Sequence, residues 1–202
     1  MPRISPGLPD YLAPGLSILF VGINPGLRSS ELGHHYAGHS NRFWKLLFEG
    51  GLVPSQLSYL DDQRLLDYGY GLTNLVAKPT AGLRDLGPQD FLQGRRELVA
   101  KIQKYHPALV AVLGMTVAQA LWFPEPSGPS GKRGNRKPIL PGLQLERFTG
   151  VSVFVLPNPS GRNAHYSYQS MKALFGELKI AALQAVESSE NSPILNMEGL
   201  SS

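Results

Sequence analysis

Three short apolar runs constrain this chain more than any other feature. Leu16–Val21 (LSILFV), Ala108–Leu113 (ALVAVL) and Val151–Leu156 (VSVFVL) are apolar at nearly every position, and each stops at a glycine or a proline. A run without polar alternation suits a strand covered on both faces, as inside a parallel sheet. Helical patterns separate the runs. Over Gln89–Tyr105, Phe91, Leu92, the Arg95 stem, Leu98, Val99 and Ile102 recur at the i, i+3, i+4, i+7 spacing, while Arg96, Lys101 and Lys104 take the outer face. Thr116–Trp122 forms a short helix, and Met171, Leu174, Phe175 and Leu178 share one face of a helix over Tyr168–Val186. With Gly71–Val76 as a shorter extended segment, strands alternate with helices. That order predicts an α/β fold: a single three-layer α/β/α domain around a central, mainly parallel four-stranded sheet. Ligands of such sheets sit beyond the carboxyl ends of the strands. Two loops that leave those ends, Gly22–Arg28 and Pro157–Arg162, carry unusual chemistry, and a site is expected between them.

The remaining segments frame this domain. Residues 1–15 hold Pro2, Pro6, Pro9 and Pro14 and read as an irregular arm; the domain proper spans 16–186. Ser40 or Asn41 can cap a helix reaching about Gly50, and Asp61–Tyr68 reads as a short helix. Residues 29–40 read as a polar loop. Residues 123–142 are a low-complexity loop with Lys132, Arg133, Arg136 and Lys137, and 187–202 read as a disordered tail.

Composition removes several classes of chemistry. The 202 residues contain no cysteine, which excludes disulfides, iron–sulfur clusters, a thiol nucleophile and cysteine-based zinc sites. No apolar run approaches the ~20 residues that span a bilayer, and no basic segment followed by an apolar stretch marks a secretory leader. The expectation is an intracellular protein without a membrane partner: in the cytoplasm or nucleoid of a bacterium, or in a eukaryotic nucleus. Net charge is +4, and residues 187–202 hold three acids and no base, leaving 19 bases against 12 acids, or +7, on the remainder. A basic body fits a polyanionic partner such as nucleic acid, or an ordinary solvated surface.

Three loops hold the candidate chemistry. In Gly22-Ile23-Asn24-Pro25-Gly26, glycines and a proline allow a tight turn with backbone N–H groups facing a ligand. No Gly-Lys-Ser/Thr follows, so it is not a phosphate-binding loop. Asn24 is its only side chain able to hold a water, although an Asx turn would use the same residue. In Gly33–Asn41, His34, His35 and His39 suggest a metal. However, adjacent histidines point apart and no carboxylate stands at a helical ligand spacing, so none is expected. Tyr36 there reads as an exposed aromatic that can stack on a base or pack on its own domain. In Asn158-Pro159-Ser160-Gly161-Arg162-Asn163, small polar groups before an arginine suit a phosphate backbone, or a plain turn with a surface arginine.

Together these segments resemble the mismatch-specific uracil/thymine DNA glycosylases of the uracil-DNA glycosylase superfamily. The likeness rests on VGINPGLRSSELGHHYAGHSNRFWKLLFEGGL (Val21–Leu52), GLTNLVAKPTAGLRDL (Gly71–Leu86), the strand near Ala108–Gly114 and LPNPSGR (Leu156–Arg162), and it covers about residues 16–180. GINPG and GHHY are similar to the eukaryotic thymine type, LPNPSG to the bacterial mismatch uracil type.

The resemblance implies roles residue by residue. Asn24 would position the water that attacks the sugar C1′. Ile23 would line the base pocket, Tyr36 would stack on the flipped base, and His35 would stand at the pocket edge. Asn74 would contact the pyrimidine, and Ser29 would set the room for a 5-methyl group. Arg162 would enter the gap the base leaves, with Asn158, Ser160 and Gly161 on the DNA backbone. The implied activity is a monofunctional glycosylase without cofactor. It would excise uracil, and thymine or ethenocytosine in some members, from mismatches with guanine in double-stranded DNA. It would act as a monomer and hand an abasic site to base-excision repair. Flipping the base costs a few kcal/mol, least at a mismatch, and stacking on an aromatic returns roughly 1–3 kcal/mol. Neither motif loop contains a lysine to form a Schiff base. The other readings are a glycosylase with a different base range, such as hypoxanthine or xanthine, a mismatch- or damage-binding protein of the same fold without cleavage, and a small-molecule α/β hydrolase or nucleotide-binding domain. The last lacks a nucleophile–base pair and a phosphate-loop lysine.

Overall fold

Ile18–Gly22 (β1) is buried at all five positions, as a strand with neighbours on both sides and helices above and below must be. The computed structural model describes residues 7–122 and 138–191. On one side β1 pairs in parallel with Tyr70–Asn74 (β2), on the other with Leu109–Leu113 (β3). Two further strands follow, Gly142–Leu143 (β4) and Ser152–Leu156 (β5). β5 runs parallel beside β3, and β4 lies antiparallel on its outer edge. The order is β2-β1-β3-β5-β4, so the sheet has five strands where four are expected from the sequence. The fifth is two residues long beside Pro141, too short to carry any periodicity.

Among the described residues five α-helices accompany the sheet: α1 (Leu27–Leu32), α2 (Phe43–Glu49), α3 (Pro88–Tyr105), α4 (Met115–Trp122) and α5 (Tyr168–Glu190). Successive β1 residues point to opposite faces. Ile18 and Phe20 join Phe43, Leu46 and Leu47 of α2 with Met171, Phe175 and Leu178 of α5. Leu19 and Val21 join Leu98 and Ile102 of α3 with Val117 and Leu121 of α4. Burying each side chain of this size contributes roughly 1.5–3 kcal/mol, and the two clusters make the three layers.

Several elements differ from the sequence expectation. Residues 29–32, expected in a loop, belong to α1, which ends on Gly33 at φ 75°. Its two leucines, Leu27 and Leu32, are exposed, so it has no apolar face to read. Asp61–Tyr68 forms the later part of a 3-10 helix, Tyr59–Tyr68, whose capping box joins Ser58 and Asp61. Asn41 does serve the start of α2, its Oδ1 accepting from the Phe43 N–H at 3.0 Å. α5 continues to Glu190, so residues 187–190 extend a helix where a disordered tail is expected. The arm is tied down at Tyr11, which exchanges two backbone hydrogen bonds of 2.9 Å with Leu72. Residues 1–6, the basic loop Lys132–Lys137 and residues 192–202 lie outside the described residues. Among the described residues no helix is long and apolar enough to cross a membrane.

Candidate active site

A cavity of about 420 Å³ opens at the carboxyl ends of the strands, within the roughly 300–1,000 Å³ of small-molecule sites. Its wall includes Ile23, Asn24, Ser29, His35, Tyr36, Asn74, Asn158, Ser160 and Arg162. Nine of the ten site residues expected from the sequence thus meet at one place, although they come from four separate stretches of chain. Gly161, between Ser160 and Arg162, is the one that does not line the cavity. Among the described residues no lysine lines the cavity, and no three His, Asp or Glu side chains gather as metal ligands.

Asn24 is not an Asx turn. Its Nδ2 donates to three acceptors at once: Thr80 Oγ1 at 2.8 Å, the Lys78 carbonyl at 2.9 Å and the Pro25 carbonyl at 3.2 Å. Two of the three are carbonyls, which can only accept, so the amide nitrogen must face them. The orientation of the side chain is therefore determined, and Oδ1 remains as its acceptor end. Thr80 supports this. Its hydroxyl proton goes to the Gly82 carbonyl at 2.9 Å, its N–H bonds the Pro25 carbonyl at 3.1 Å, and it forms a parallel bridge with Gly26. The loop after β2 thereby continues the sheet's hydrogen bonding beneath Asn24. Thr80 is not among the residues expected from the sequence, because it lies outside the loops after β1 and β5. Its signal was present: a hydroxyl within the Pro/Gly loop that leaves β2.

Gly22 closes β1 where a side chain has no space. A Cβ there would lie 2.6 Å from Asn74 Oδ1 and 3.0 Å from the Tyr36 hydroxyl. Asn74 ends β2 opposite Gly22 in register, so the pairing of two strands delivers both residues to one wall.

The Gly33–Asn41 segment is clamped from below. Asp62 is 1% exposed. Its carboxylate takes His34 Nδ1 at 3.2 Å, the His35 N–H at 3.0 Å and the Gln63 N–H at 2.9 Å. His35 Nε2 bonds the Pro9 carbonyl at 2.8 Å, so that nitrogen carries the proton. Burial is the main influence on His35 and lowers its pKa below the ordinary 6.5. His35 is thus enclosed and neutral, more deeply set than the pocket-edge position expected. Ser29 is likewise engaged: its Oγ accepts from the Ala37 N–H at 3.0 Å and ties α1 to the residue after Tyr36. Tyr36 is held at φ 54°, a left-handed conformation that needs such support. It is half-buried, not exposed as expected, and its ring lies 4.1 Å from that of Phe43 at 31°.

The arm completes this wall. Asp10 accepts from Thr73 Oγ1 at 2.6 Å and pairs with Lys101 at 2.6 Å. Asp10, Pro9 and Asp62 are therefore supporting residues that the sequence reading omits. An acidic or proline residue in an arm carries no signal of its eventual partner.

The segment after β5 is shaped by Asn158, whose Oδ1 accepts from the Ser160 N–H at 2.9 Å. This is the Asx turn, and it commits part of a side chain expected on DNA. Gly161 sits against Ser40, where a Cβ would come within 2.6 Å of the Ser40 carbonyl. The Arg42 N–H bonds the Pro159 carbonyl at 2.9 Å, locking the two loops together. Arg162 projects into solvent at the rim.

The model of the uracil DNA glycosylase superfamily matches residues 9–179. The chain belongs to that superfamily. Membership implies DNA glycosylase chemistry, the hydrolysis of an N-glycosidic bond, with DNA as the substrate. The fold agrees. The solution NMR structure of a protein from Methanosarcina acetivorans, named as a candidate uracil DNA glycosylase, superposes with a TM-score of 0.52 at 21% identity, covering 87% of this chain and 98% of that one. As in the expected architecture, a mostly parallel sheet is flanked by helices, and the candidate site lies at its strand ends.

Proposed function

We propose that this glycosylase is of the mismatch-specific uracil/thymine type. It flips uracil, and thymine or ethenocytosine where the pocket admits them, out of pairs with guanine, and it hydrolyses the N-glycosidic bond with a water held by Asn24. The observation that carries this reading is the Asn24 amide, turned by three acceptors on Nδ2 so that Oδ1 is left to accept from a water.

The step follows from that orientation. As the C1′–N1 bond lengthens, its electron pair leaves with the base, and the sugar gains oxocarbenium character. Backbone N–H groups of the Gly22–Gly26 turn stabilise charge developing on the departing base in the manner of an oxyanion hole. The water oxygen bonds to C1′, one of its protons passes to solvent, and the base takes up a proton to leave neutral. An amide does not accept that proton, so Asn24 contributes position only, and turnover is modest. Neither the Gly22–Arg28 loop nor the Pro157–Arg162 loop contains a lysine, and none lines the cavity among the described residues, which supports hydrolysis without a Schiff-base lyase step. Tyr36 supplies the stacking surface, Ile23 and Ser29 bound the pocket, and Arg162 fills the vacated stack. The product is an abasic site, a substrate for downstream base-excision repair.

The test is single-turnover base release from duplexes holding G·U, G·T, A·U or G·ethenocytosine, with wild type and Asn24→Ala run side by side. Release from G·U that is lost in Asn24→Ala is expected, and the G·T result defines the subtype. Specific binding without release from any duplex overturns the reading in favour of a mismatch- or damage-binding protein.

A further inference from the structure

The Tyr36 hydroxyl is buried without a hydrogen-bond partner. Leaving such a group unpaired is costly, and a native protein rarely keeps one without a use. Its surroundings are informative. A Cβ at Gly22 would lie 3.0 Å from the Tyr36 hydroxyl and 2.6 Å from Asn74 Oδ1, so both groups border the space that this glycine leaves open. The absence of a side chain at Gly22 is what lets the two approach. Burial pushes the phenol far above its ordinary value of 10.0, so it remains a neutral O–H donor. The ring itself cannot turn away freely, because Phe43 lies against it at 4.1 Å and the clamps at Ser29, His35 and Asp62 hold the backbone on either side.

We infer that the Tyr36 hydroxyl is a positioning group for specificity: it donates to Asn74 Oδ1 when a base is bound, and so presents Asn74 Nδ2 as a donor to that base. An Asn amide has an acceptor end and a donor end of nearly equal shape. With Oδ1 occupied by Tyr36, the pocket shows a donor and favours a base with a carbonyl at that edge, as in uracil or thymine. It rejects a base with an amino group there, as in cytosine. The distinction matters physically, since a site built around one hydrogen-bond polarity leaves buried groups unpaired with the wrong ligand. Tyr36 thus serves twice, its ring as a platform and its hydroxyl as the lock on a neighbouring amide. This inference rests on the reading of Tyr36 and Asn74 as base-facing groups.

Tyr36→Phe tests it, because it keeps the ring and removes one oxygen. Binding is measured to guanine-mismatched duplexes carrying uncleavable 2′-fluoro-deoxyuridine or 2′-fluoro-deoxycytidine, with an abasic duplex as reference. Wild type is expected to favour the uridine analogue. Tyr36→Phe is expected to lower the uridine-to-cytidine affinity ratio about tenfold, while abasic-duplex binding and the melting temperature change little. In an Asn74→Ala background the same substitution is expected to leave the ratio unchanged, since its effect passes through the amide. A merely structural hydroxyl would weaken all three duplexes together. Selective uridine binding with an unaltered ratio in Tyr36→Phe overturns this inference alone. No preference of wild type for the uridine analogue over the abasic or cytidine duplex overturns both it and the mismatch-glycosylase reading.

Discussion

Replacing Thr80 with valine removes one oxygen and nearly preserves side-chain shape. Thr80 is 7% exposed, so the loss is felt in the interior. Asn24 Nδ2 loses its shortest acceptor, at 2.8 Å, and keeps two carbonyls at 2.9 and 3.2 Å. The Gly82 carbonyl loses the hydroxyl that reaches it at 2.9 Å. The two remaining carbonyls still forbid a flipped amide, which would set oxygen against oxygen. The amide therefore keeps its sense but loosens in angle. The two hydrogens of Nδ2 keep two acceptors, so the group left unsatisfied is the Gly82 carbonyl, at about 1–3 kcal/mol. If that penalty falls on water positioning, the single-turnover rate drops about 5- to 150-fold, at 1.36 kcal/mol per decade. The assay is single-turnover release of uracil from a G·U duplex, with the duplex Kd measured in parallel. The rate is expected to fall within that range while Kd holds within about twofold, because Thr80 acts beneath Asn24 and not on the backbone of the DNA. Thr80→Ser, which keeps the oxygen, is expected to stay within about threefold of wild type. A wild-type rate for Thr80→Val, or equal losses for Thr80→Ser and Thr80→Val, would refute the reasoning.

Other expectations follow from the same geometry. Gly161→Ala drives a Cβ against Ser40, separating two loops of the rim; weaker binding of mismatched duplex and a lower melting temperature are expected, and an unchanged affinity would show that the loops accommodate the methyl group. Arg162→Ala leaves the fold alone, since Arg162 is exposed, and is expected to reduce the flipped fraction of a 2-aminopurine placed beside the mismatch, read by fluorescence. His35 has a folded pKa below 6.5 because it is buried, so the unfolded chain binds its proton more readily. Its contribution is complete above about pH 6.5 and declines as pH falls from there towards the lowered folded value. Thermal melts should show a steeper loss of stability from pH 7.5 to 5.5 in wild type than in His35→Gln. Asp10→Asn weakens the pair with Lys101 and the bond from Thr73, both 2.6 Å; a loss of about 1–2 kcal/mol in denaturant unfolding is expected, and none would mean that the Tyr11 and Pro9 backbone bonds hold the arm without it.

The parts of this fold legible in the sequence are those encoded locally. Ile18–Gly22, Leu109–Leu113 and Ser152–Leu156 are buried on both faces, so their composition alone marks them as interior strands. α3 reads clearly because one of its faces is apolar and the other charged. α1 does not, since both of its leucines are exposed, and β4 does not, since two residues define no period. Tyr36 shows the limit from the other direction. A tyrosine between glycines in a polar loop looks exposed, yet the carboxylate of Asp62, 26 positions later, and the aromatic ring of Phe43 draw it inward.

The sequence by itself determined the layered α/β architecture, the superfamily motifs and the two loops that leave β1 and β5 to form a site, because burial pattern and turn chemistry are properties of neighbouring residues. The tertiary structure alone decided which end of the Asn24 amide is free, which residues clamp the histidines, and that the arm belongs to the wall. Those outcomes depend on hydrogen bonds between groups far apart along the chain, 56 positions for Asn24 and Thr80 and 63 for Asp10 and Thr73. No local pattern encodes such pairs. The first exists only once the parallel pairing of β1 and β2 brings the loops after both strands to the same end of the sheet, and the second once Tyr11 bridges the arm to Leu72 of β2.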